Sequence, residues 1–163
     1  MLLEGYRRWL TVAAIGGSGA IAGLFLSFST FTMSGIRRLP AVQGMQAMQS
    51  INRSAERSPS LLLGLFGTGA VCVVLGVAAA RDLDAPASVL QLVASGLYAV
   101  GVVGMTVAFH VPRNDALAAL DPGSPGALEA WRDYARTWTA GNHVRTLAPL
   151  AATVLYTLSL RAR

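Results

Sequence analysis

The stretch from Leu61 to Ala80 reads LLLGLFGTGAVCVVLGVAAA and contains no charged residue. At 1.5 Å per residue, a helix of this length spans about 30 Å, which is the thickness of a bilayer's hydrocarbon core. Three further apolar stretches have the length of a membrane helix: Leu10 to Met33, Pro86 to Phe109 and Val144 to Leu160. The sequence therefore predicts an all-α fold, a four-helix integral membrane bundle that forms a single domain of residues 1–163.

Composition points the same way, because 53% of the residues are hydrophobic, only 13% are charged and the mean hydropathy is +0.51. Soluble domains carry about 25% charged residues. Arg7 and Arg8 resemble the start of a signal peptide, but the apolar run that follows is too long for one and lacks a cleavage motif. We expect the run from Leu10 to Met33 to be a membrane helix. The single cysteine, Cys72, excludes a disulfide within one chain and is expected to be a small buried side chain.

The net charge of +5 comes from arginine alone, since the chain contains no lysine. The arginines flank the apolar stretches and do not form one patch, so anionic lipid headgroups are the expected partners and nucleic acid is not. Eight arginines lie on the side of the long connections described below and five on the other. The positive-inside rule then places the long connections in the cytoplasm, with the protein in a bacterial inner (plasma) membrane.

The connections between the predicted helices are unequal in length. Residues 34–60 join the first two helices and residues 111–143 join the last two, whereas RDLDAP alone joins the middle pair. In a four-span protein the two long connections emerge on the same side. Because they hold most of the unusual polar and aromatic residues, we expect the functional site at that membrane face, with short helices in the connections.

Residues 131–145 read WRDYARTWTAGNHVR and concentrate tryptophan, tyrosine, amide and arginine side chains. On a helix, one face carries Trp131, Tyr134, Trp138, Asn142 and Arg145. This alignment requires a helix that continues through Gly141, which costs about 1 kcal/mol relative to alanine. The alternative ends one helix near Thr139 and begins the next with Asn142 as its N-cap.

The tryptophans and the histidine of residues 131–145 each have a second interpretation. An aromatic belt at headgroup level would explain Trp131 and Trp138, but not Asn142 and Arg145 aligned with them. His143 lies about 100° or more from this face and is therefore a weaker candidate.

The first long connection repeats the pattern, since one helical face carries Met45, Met48, Gln49 and Asn52. Amides that face a membrane bundle need hydrogen-bond partners. Gln49 and Asn52 either bind Arg145 or Asn142 and hold the connection down, or face a substrate.

The end of the third span reads AFHVPRNDALAAL. His110 places a titratable imidazole at the rim of the bundle, where it is either structural or catalytic. Pro112 is expected to stop the helix. Asn114 or Asp115 is then the expected N-cap of a short helix that runs through Leu120.

Three segments together, MQSIN, HVPRNDAL and WRDYARTWTAGNHVR, resemble the anthrone oxygenase-like family of small four-helix membrane proteins, many of which are known only as domains of unknown function. The resemblance covers nearly the whole chain. It implies oxidation of an anthrone to an anthraquinone by O₂, without an added cofactor. The positions that match the family motifs are Met48, Gln49, Asn52, His110, Pro112, Asn114, Trp131, Trp138, Asn142 and Arg145.

On this resemblance, His110 is the expected base, Arg145 with Asn142 or Gln49 stabilises the oxyanion, and Trp131 and Trp138 flank the rings. Replacement of His110 by alanine is then expected to lower turnover at least about 10²-fold. The other expected substrate contacts are Met48, Asn52, Asn114 and Tyr134. The expected partners are a hydrophobic aromatic small molecule, the lipid bilayer and a possible second copy of the chain.

Three alternatives stay open from sequence alone. No pair of histidines or methionines has ligand spacing, but a metal- or haem-dependent membrane oxidoreductase on the same scaffold is not excluded. A non-enzymatic binding protein for a hydrophobic metabolite would bind an anthrone without consuming O₂. A structural membrane subunit would copurify with a partner.

Overall fold

The computed structural model describes residues 2–162 and consists of five helices joined by short turns, with no strand in that range. Three of the helices contain a π-helical segment between α-helical ones. In chain order, α1 comprises Leu2–Ser27, Phe28–Thr32 and Met33–Ile36, α2 is Ala41–Glu56, α3 comprises Pro59–Leu62, Leu63–Gly67 and Thr68–Ala79, α4 comprises Pro86–Tyr98, Ala99–His110 and Val111–Ala118, and α5 is Ala127–Arg161. The all-α prediction is confirmed.

Three of these helices, Gly5–Ile36, Pro59–Ala79 and Pro86–Ala118, are long and apolar enough to cross a membrane. This length and composition support an integral membrane protein. The fourth predicted span is the C-terminal half of α5, which is not among the three within the described residues. The presence of Arg145 and several hydroxyl side chains makes that half less apolar. The count of four spans therefore stays a prediction.

Helix α5 is the element that joins the others, since it packs along both α1 and α4, while α3 packs against α1 and α4. With 35 residues it is about 50 Å long. It runs without a break through Gly141, which confirms the continuous helix over the alternative with an N-cap at Asn142. A Cβ atom at Gly141 would collide with the Phe109 ring and lie 3.0 Å from His110 Cε1. This glycine therefore permits the close approach of α4 and α5.

The hydrophobic interior has two parts. One lies within the bundle and includes Cys72, Tyr98 and Tyr156, all fully buried. The other, which we call the roof, lies at one end, where α2, the end of α4 and the first half of α5 meet. The roof contains Met33, Ile36, Met45, Met48, Leu117, Ala127, Trp131, Tyr134, Ala135 and Trp138. The two long connections thus meet at one end, as predicted.

One boundary prediction was wrong, because Pro112 does not stop α4. Residues 99–110 are π-helical, and Val111 N–H still donates to the Thr106 carbonyl five residues earlier. The α-helical register resumes at Val111, so the missing N–H of Pro112 falls where the hydrogen-bond pattern changes. The Arg113 Nη1 donates to the Phe109 carbonyl at 2.9 Å and satisfies one acceptor there. The helix ends at Ala118, not at Leu120.

Candidate functional site

A cavity of about 300 Å³ lies between the bundle and the roof. This volume is at the lower end of the range for small-molecule sites. Most of its wall is apolar and is supplied by α1, α2 and α3. These side chains are Leu24, Phe25, Phe28, Met48, Ile51, Ala55, Leu61, Leu62, Leu65 and Phe66.

Few polar side chains line the same cavity, and two of them carry charge. They are Asn52, Glu56, Thr106, Asn114 and Arg145, together with the amphipathic Trp138. Five residues predicted from sequence therefore line the cavity: Met48, Asn52, Asn114, Trp138 and Arg145.

Arg145 is the unusual member of this set, because its guanidinium is buried at 5% exposure without an acidic partner in the described part of the chain. Nη2 donates to Asn142 Oδ1 at 3.0 Å. Cζ lies 4.3 Å from the Phe25 ring centroid and 5.0 Å from the Trp138 ring. Nε is buried and has no hydrogen-bond partner among the described residues. Cation–π contacts offset only part of the cost of burying a charge, so this cation favours an anionic ligand.

Asn142 positions Arg145 from outside the cavity. Its Nδ2 donates to the Phe25 carbonyl at 2.8 Å and to Ser29 Oγ at 2.9 Å, both on α1. Because both donors are engaged with α1, Oδ1 is directed to the Arg145 guanidinium. The single amide therefore fixes α5 against α1 and orients the buried cation at the same time.

A second polar network closes the roof side of the cavity. Asn52 Nδ2 donates to the Tyr134 hydroxyl at 3.2 Å, and that hydroxyl donates to Asn114 Oδ1 at 2.9 Å. Trp138 Nε1 donates to the same oxygen at 3.1 Å. Burial raises the pKa of the Tyr134 phenol above its ordinary value, so the phenol stays protonated and can donate. The predicted N-cap role of Asn114 was wrong, since α4 continues past it.

The remaining amide is Gln49. Neither Gln49 nor Asn52 forms a hydrogen bond with Arg145 or Asn142, so the prediction of these two partners was wrong. Gln49 Nε2 donates to the carbonyls of Leu117 and Leu120, at 2.9 and 3.0 Å. Leu117 lies in the last turn of α4, where its carbonyl also accepts from the Leu120 N–H at 3.2 Å, and Leu120 lies just beyond the helix end. Gln49 thus fastens α2 to the end of α4 and lies away from the cavity lining.

Trp131 and Trp138 are not part of an aromatic belt, because both are buried at 4% exposure. Trp131 stacks on Tyr134 with ring centroids 5.9 Å apart and packs against Gly44, so it belongs to the roof and not to the cavity. Trp138 contacts the Phe28 ring at 5.5 Å and lines the cavity. His143 is exposed, as its position on the helix predicted.

His110 lies behind Trp138 and is not part of the cavity lining. Its ring meets the Trp138 ring edge-on, with centroids 5.3 Å apart. Nδ1 lies 3.0 Å from the Met105 carbonyl and Nε2 lies 3.3 Å from the Trp138 carbonyl. Since both nitrogens face backbone oxygens, the imidazole bridges α4 to α5. As placed, neither nitrogen is directed into the cavity.

Among the lining side chains that sequence reasoning missed, those with aromatic, charged or hydroxyl groups are Phe25, Phe28, Phe66, Glu56 and Thr106. The Thr106 Oγ1 is buried and, like Arg145 Nε, has no hydrogen-bond partner in the described range. For Glu56 a signal existed, since it is the only acidic residue between Glu4 and Asp82. Phe25 and Phe28 carried no signal, because the first span is apolar throughout.

Comparison with known proteins places this arrangement in a family. A protein-family model described as anthrone oxygenase matches residues 61–155, more than half of the chain. The chain belongs to the anthrone oxygenase family. The matched region includes Thr106, Asn114, Trp138 and Arg145 of the cavity, whereas Met48, Asn52 and Glu56 precede it. No curated protein and no solved structure matches the chain. Family membership confirms the resemblance seen in the sequence and supports an oxygenase-like role.

Proposed function

We propose that this protein is a membrane oxygenase that oxidises a hydroxylated, anthrone-like tricyclic ketone to a quinone with O₂ and without an added cofactor. The observation that carries the proposal is the buried Arg145 guanidinium, unpaired with any carboxylate among the described residues and facing an apolar cavity. Family membership supports the reaction class.

The chemistry of an anthrone matches such a cation. Its CH₂ group is flanked by two aromatic rings and lies opposite a ketone, so loss of one proton gives an anthrolate whose charge rests largely on oxygen. A cation in a water-poor cavity stabilises this oxyanion far more than a solvated cation would. The electron-rich anthrolate then donates an electron to O₂. The peroxide that forms loses water to give the quinone.

The aromatic lining suits a flat substrate. Phe25, Phe28 and Trp138 lie around the Arg145 end of the cavity, where rings of the substrate would pack against them. The Thr106 hydroxyl, which has no hydrogen-bond partner among the described residues, and the Asn52 amide both line the cavity and are available to phenolic groups of the substrate. In this arrangement Asn142 holds Arg145 in place, while Gln49, Trp131 and Tyr134 stabilise the roof. We place this end of the bundle in the cytoplasm, following the arginine distribution.

Oxygen uptake tests the proposal. The purified protein in detergent is given 1,8-dihydroxyanthrone in an oxygen electrode, and spontaneous oxidation is measured with heat-treated protein. We expect O₂ consumption and quinone formation in equal amounts, well above the heat-treated control and unaffected by a chelator. Binding without O₂ consumption would instead favour the carrier protein.

The metal- or haem-dependent alternative is distinguished by the same assay. No group of three His, Cys, Asp or Glu side chains in the described range is arranged to hold a metal ion. Uptake that a chelator abolishes and that added metal restores would favour this alternative, and metal analysis of the purified protein would identify the ion.

A further inference from the structure

The charges around the cavity raise the question of which group removes the substrate's proton. Of the described residues that line the cavity, two carry a formal charge, Arg145 and Glu56. A guanidinium cannot act as a base at that pH, because its conjugate base is not accessible. Among the described lining residues, the Glu56 carboxylate is therefore the one charged group that can accept a proton.

We propose that Glu56 is the catalytic base of this cavity and that it transfers protons between the substrate carbon and water. The proposal rests on the proposed function for the identity of the substrate. Glu56 ends α2 and is exposed to solvent, while neighbouring Asn52 and Ala55 also line the cavity. Glu56 therefore lines the cavity and is open to solvent at the same time, so its carboxylate can exchange a proton with water.

Glu56 and Arg145 have separate tasks in this account. They form no salt bridge within 4.0 Å, so neither charge neutralises the other. The guanidinium is buried at the aromatic end, between Phe25 and Trp138. The carboxylate takes the proton, and the cation stabilises the negative charge that remains on the substrate oxygen.

The proton steps balance as follows. Glu56 takes one CH₂ proton, and the C–H electron pair stays in the anthrolate. The anthrolate gives one electron to O₂, and the resulting radical and superoxide combine to form a C–O bond. The peroxide anion takes the proton back from Glu56. Glu56 then removes the second proton of the carbon while the O–O bond breaks, and the departing hydroxide takes that proton as water. Ketone and O₂ thus become quinone and one water.

Hydrogen–deuterium exchange without O₂ isolates the first of these steps. In D₂O under nitrogen, the purified full-length protein is mixed with 1,8-dihydroxyanthrone, and loss of the methylene proton signal is followed by NMR. Heat-treated protein gives the spontaneous rate. Four samples are compared: wild type, Glu56→Gln, Glu56→Asp and the matched control Glu129→Gln. Glu129 is an exposed residue of α5 that does not line the cavity. Unfolding midpoints verify that each variant is folded.

We expect wild type and Glu129→Gln to accelerate exchange equally. The exchange rate is expected to fall at least about 10²-fold in Glu56→Gln and to be intermediate in Glu56→Asp. Wild-type exchange by folded Glu56→Gln would overturn the proposal, as would a wild-type rate no higher than that of heat-treated protein. The aerobic assay reports separately on the oxygenase. Exchange that depends on Glu56, without O₂ uptake, would contradict the oxygenase activity and would still support Glu56 as the base.

Discussion

Arg145 and Asn142 lie one helical turn apart on α5 and share a hydrogen bond of 3.0 Å, while the Asn142 amide donates to the backbone of Phe25 on α1. The Phe25 ring lies against the guanidinium of the same Arg145. Asn142 on α5 and Phe25 on α1 thus hold one buried cation at the cavity wall. The proposed oxidation depends on that cation.

Replacement of Arg145 by methionine separates activity from stability. We expect O₂ uptake to fall by about 10²–10³-fold, because the oxyanion loses its main stabilising group. The unfolding midpoint is not expected to fall, since an unpaired buried charge is replaced by an apolar chain of similar length. The matched control is Arg136→Met, whose exposed guanidinium pairs only with Asp133. Loss of activity in both variants, or in neither, would contradict the role of Arg145.

Replacement of Asn142 by alanine tests whether this amide joins α5 to α1. The Phe25 carbonyl and Ser29 Oγ lose a buried donor, so we expect a loss of about 1–3 kcal/mol in the free energy of unfolding. Turnover is expected to fall as well, because Arg145 loses its fixed position. Thr139→Ala is the control, since that hydroxyl bonds only to Ala135 of its own helix. Equal unfolding midpoints for the two variants would show that the amide is dispensable.

Tyr134→Phe tests the roof network through its pH dependence. At pH 8 we expect the free energy of unfolding to fall by about 1–2 kcal/mol, because Asn52 and Asn114 each lose a hydrogen-bond partner. Burial raises the folded-state pKa of the phenol above the ordinary value near 10, so its stabilising effect is complete below about pH 10 and lost as pH rises further. Unfolding midpoints measured from pH 8 to 11 should therefore fall less steeply in the variant. Parallel curves would count against a buried, protonated Tyr134.

Gly141→Ala tests the close approach of α4 and α5. The added methyl group would collide with the Phe109 ring, so we expect the free energy of unfolding to fall by about 1–3 kcal/mol. At Gly96, on exposed α4 surface, a Cβ would meet nothing within 4 Å. Gly96→Ala is therefore expected to be neutral or to stabilise by up to about 1 kcal/mol. Unfolding in detergent measures both, and a Gly141→Ala variant as stable as Gly96→Ala would contradict the packing described.

The sequence was sufficient for the fold and for the line of side chains on α5. Hydropathy located the apolar stretches, and helical spacing placed Trp138, Asn142 and Arg145 on one buried face. It was insufficient wherever a side chain's partner lies on another helix. Gln49 binds the end of α4, and Asn142 binds the backbone of α1, which no spacing within one segment reveals.

The continuation of α4 through Pro112 was also beyond sequence reasoning. A proline normally ends a helix because it removes a hydrogen bond, but here the change from π to α register falls beside it. That register also turns His110 toward two backbone carbonyls. A histidine at the rim of a bundle is a candidate base in the sequence, and its contacts with two backbone carbonyls could not be predicted there.

Oxidation of 1,8-dihydroxyanthrone under ¹⁸O₂ tests the central claim most directly, with the spontaneous reaction of heat-treated protein subtracted. We predict that the quinone formed by the native protein gains one ¹⁸O atom at the former CH₂ carbon, that the second labelled atom appears as water, and that Arg145→Met forms almost none of this product. Quinone formed by the native protein without ¹⁸O, or no quinone beyond the spontaneous amount, would contradict the account.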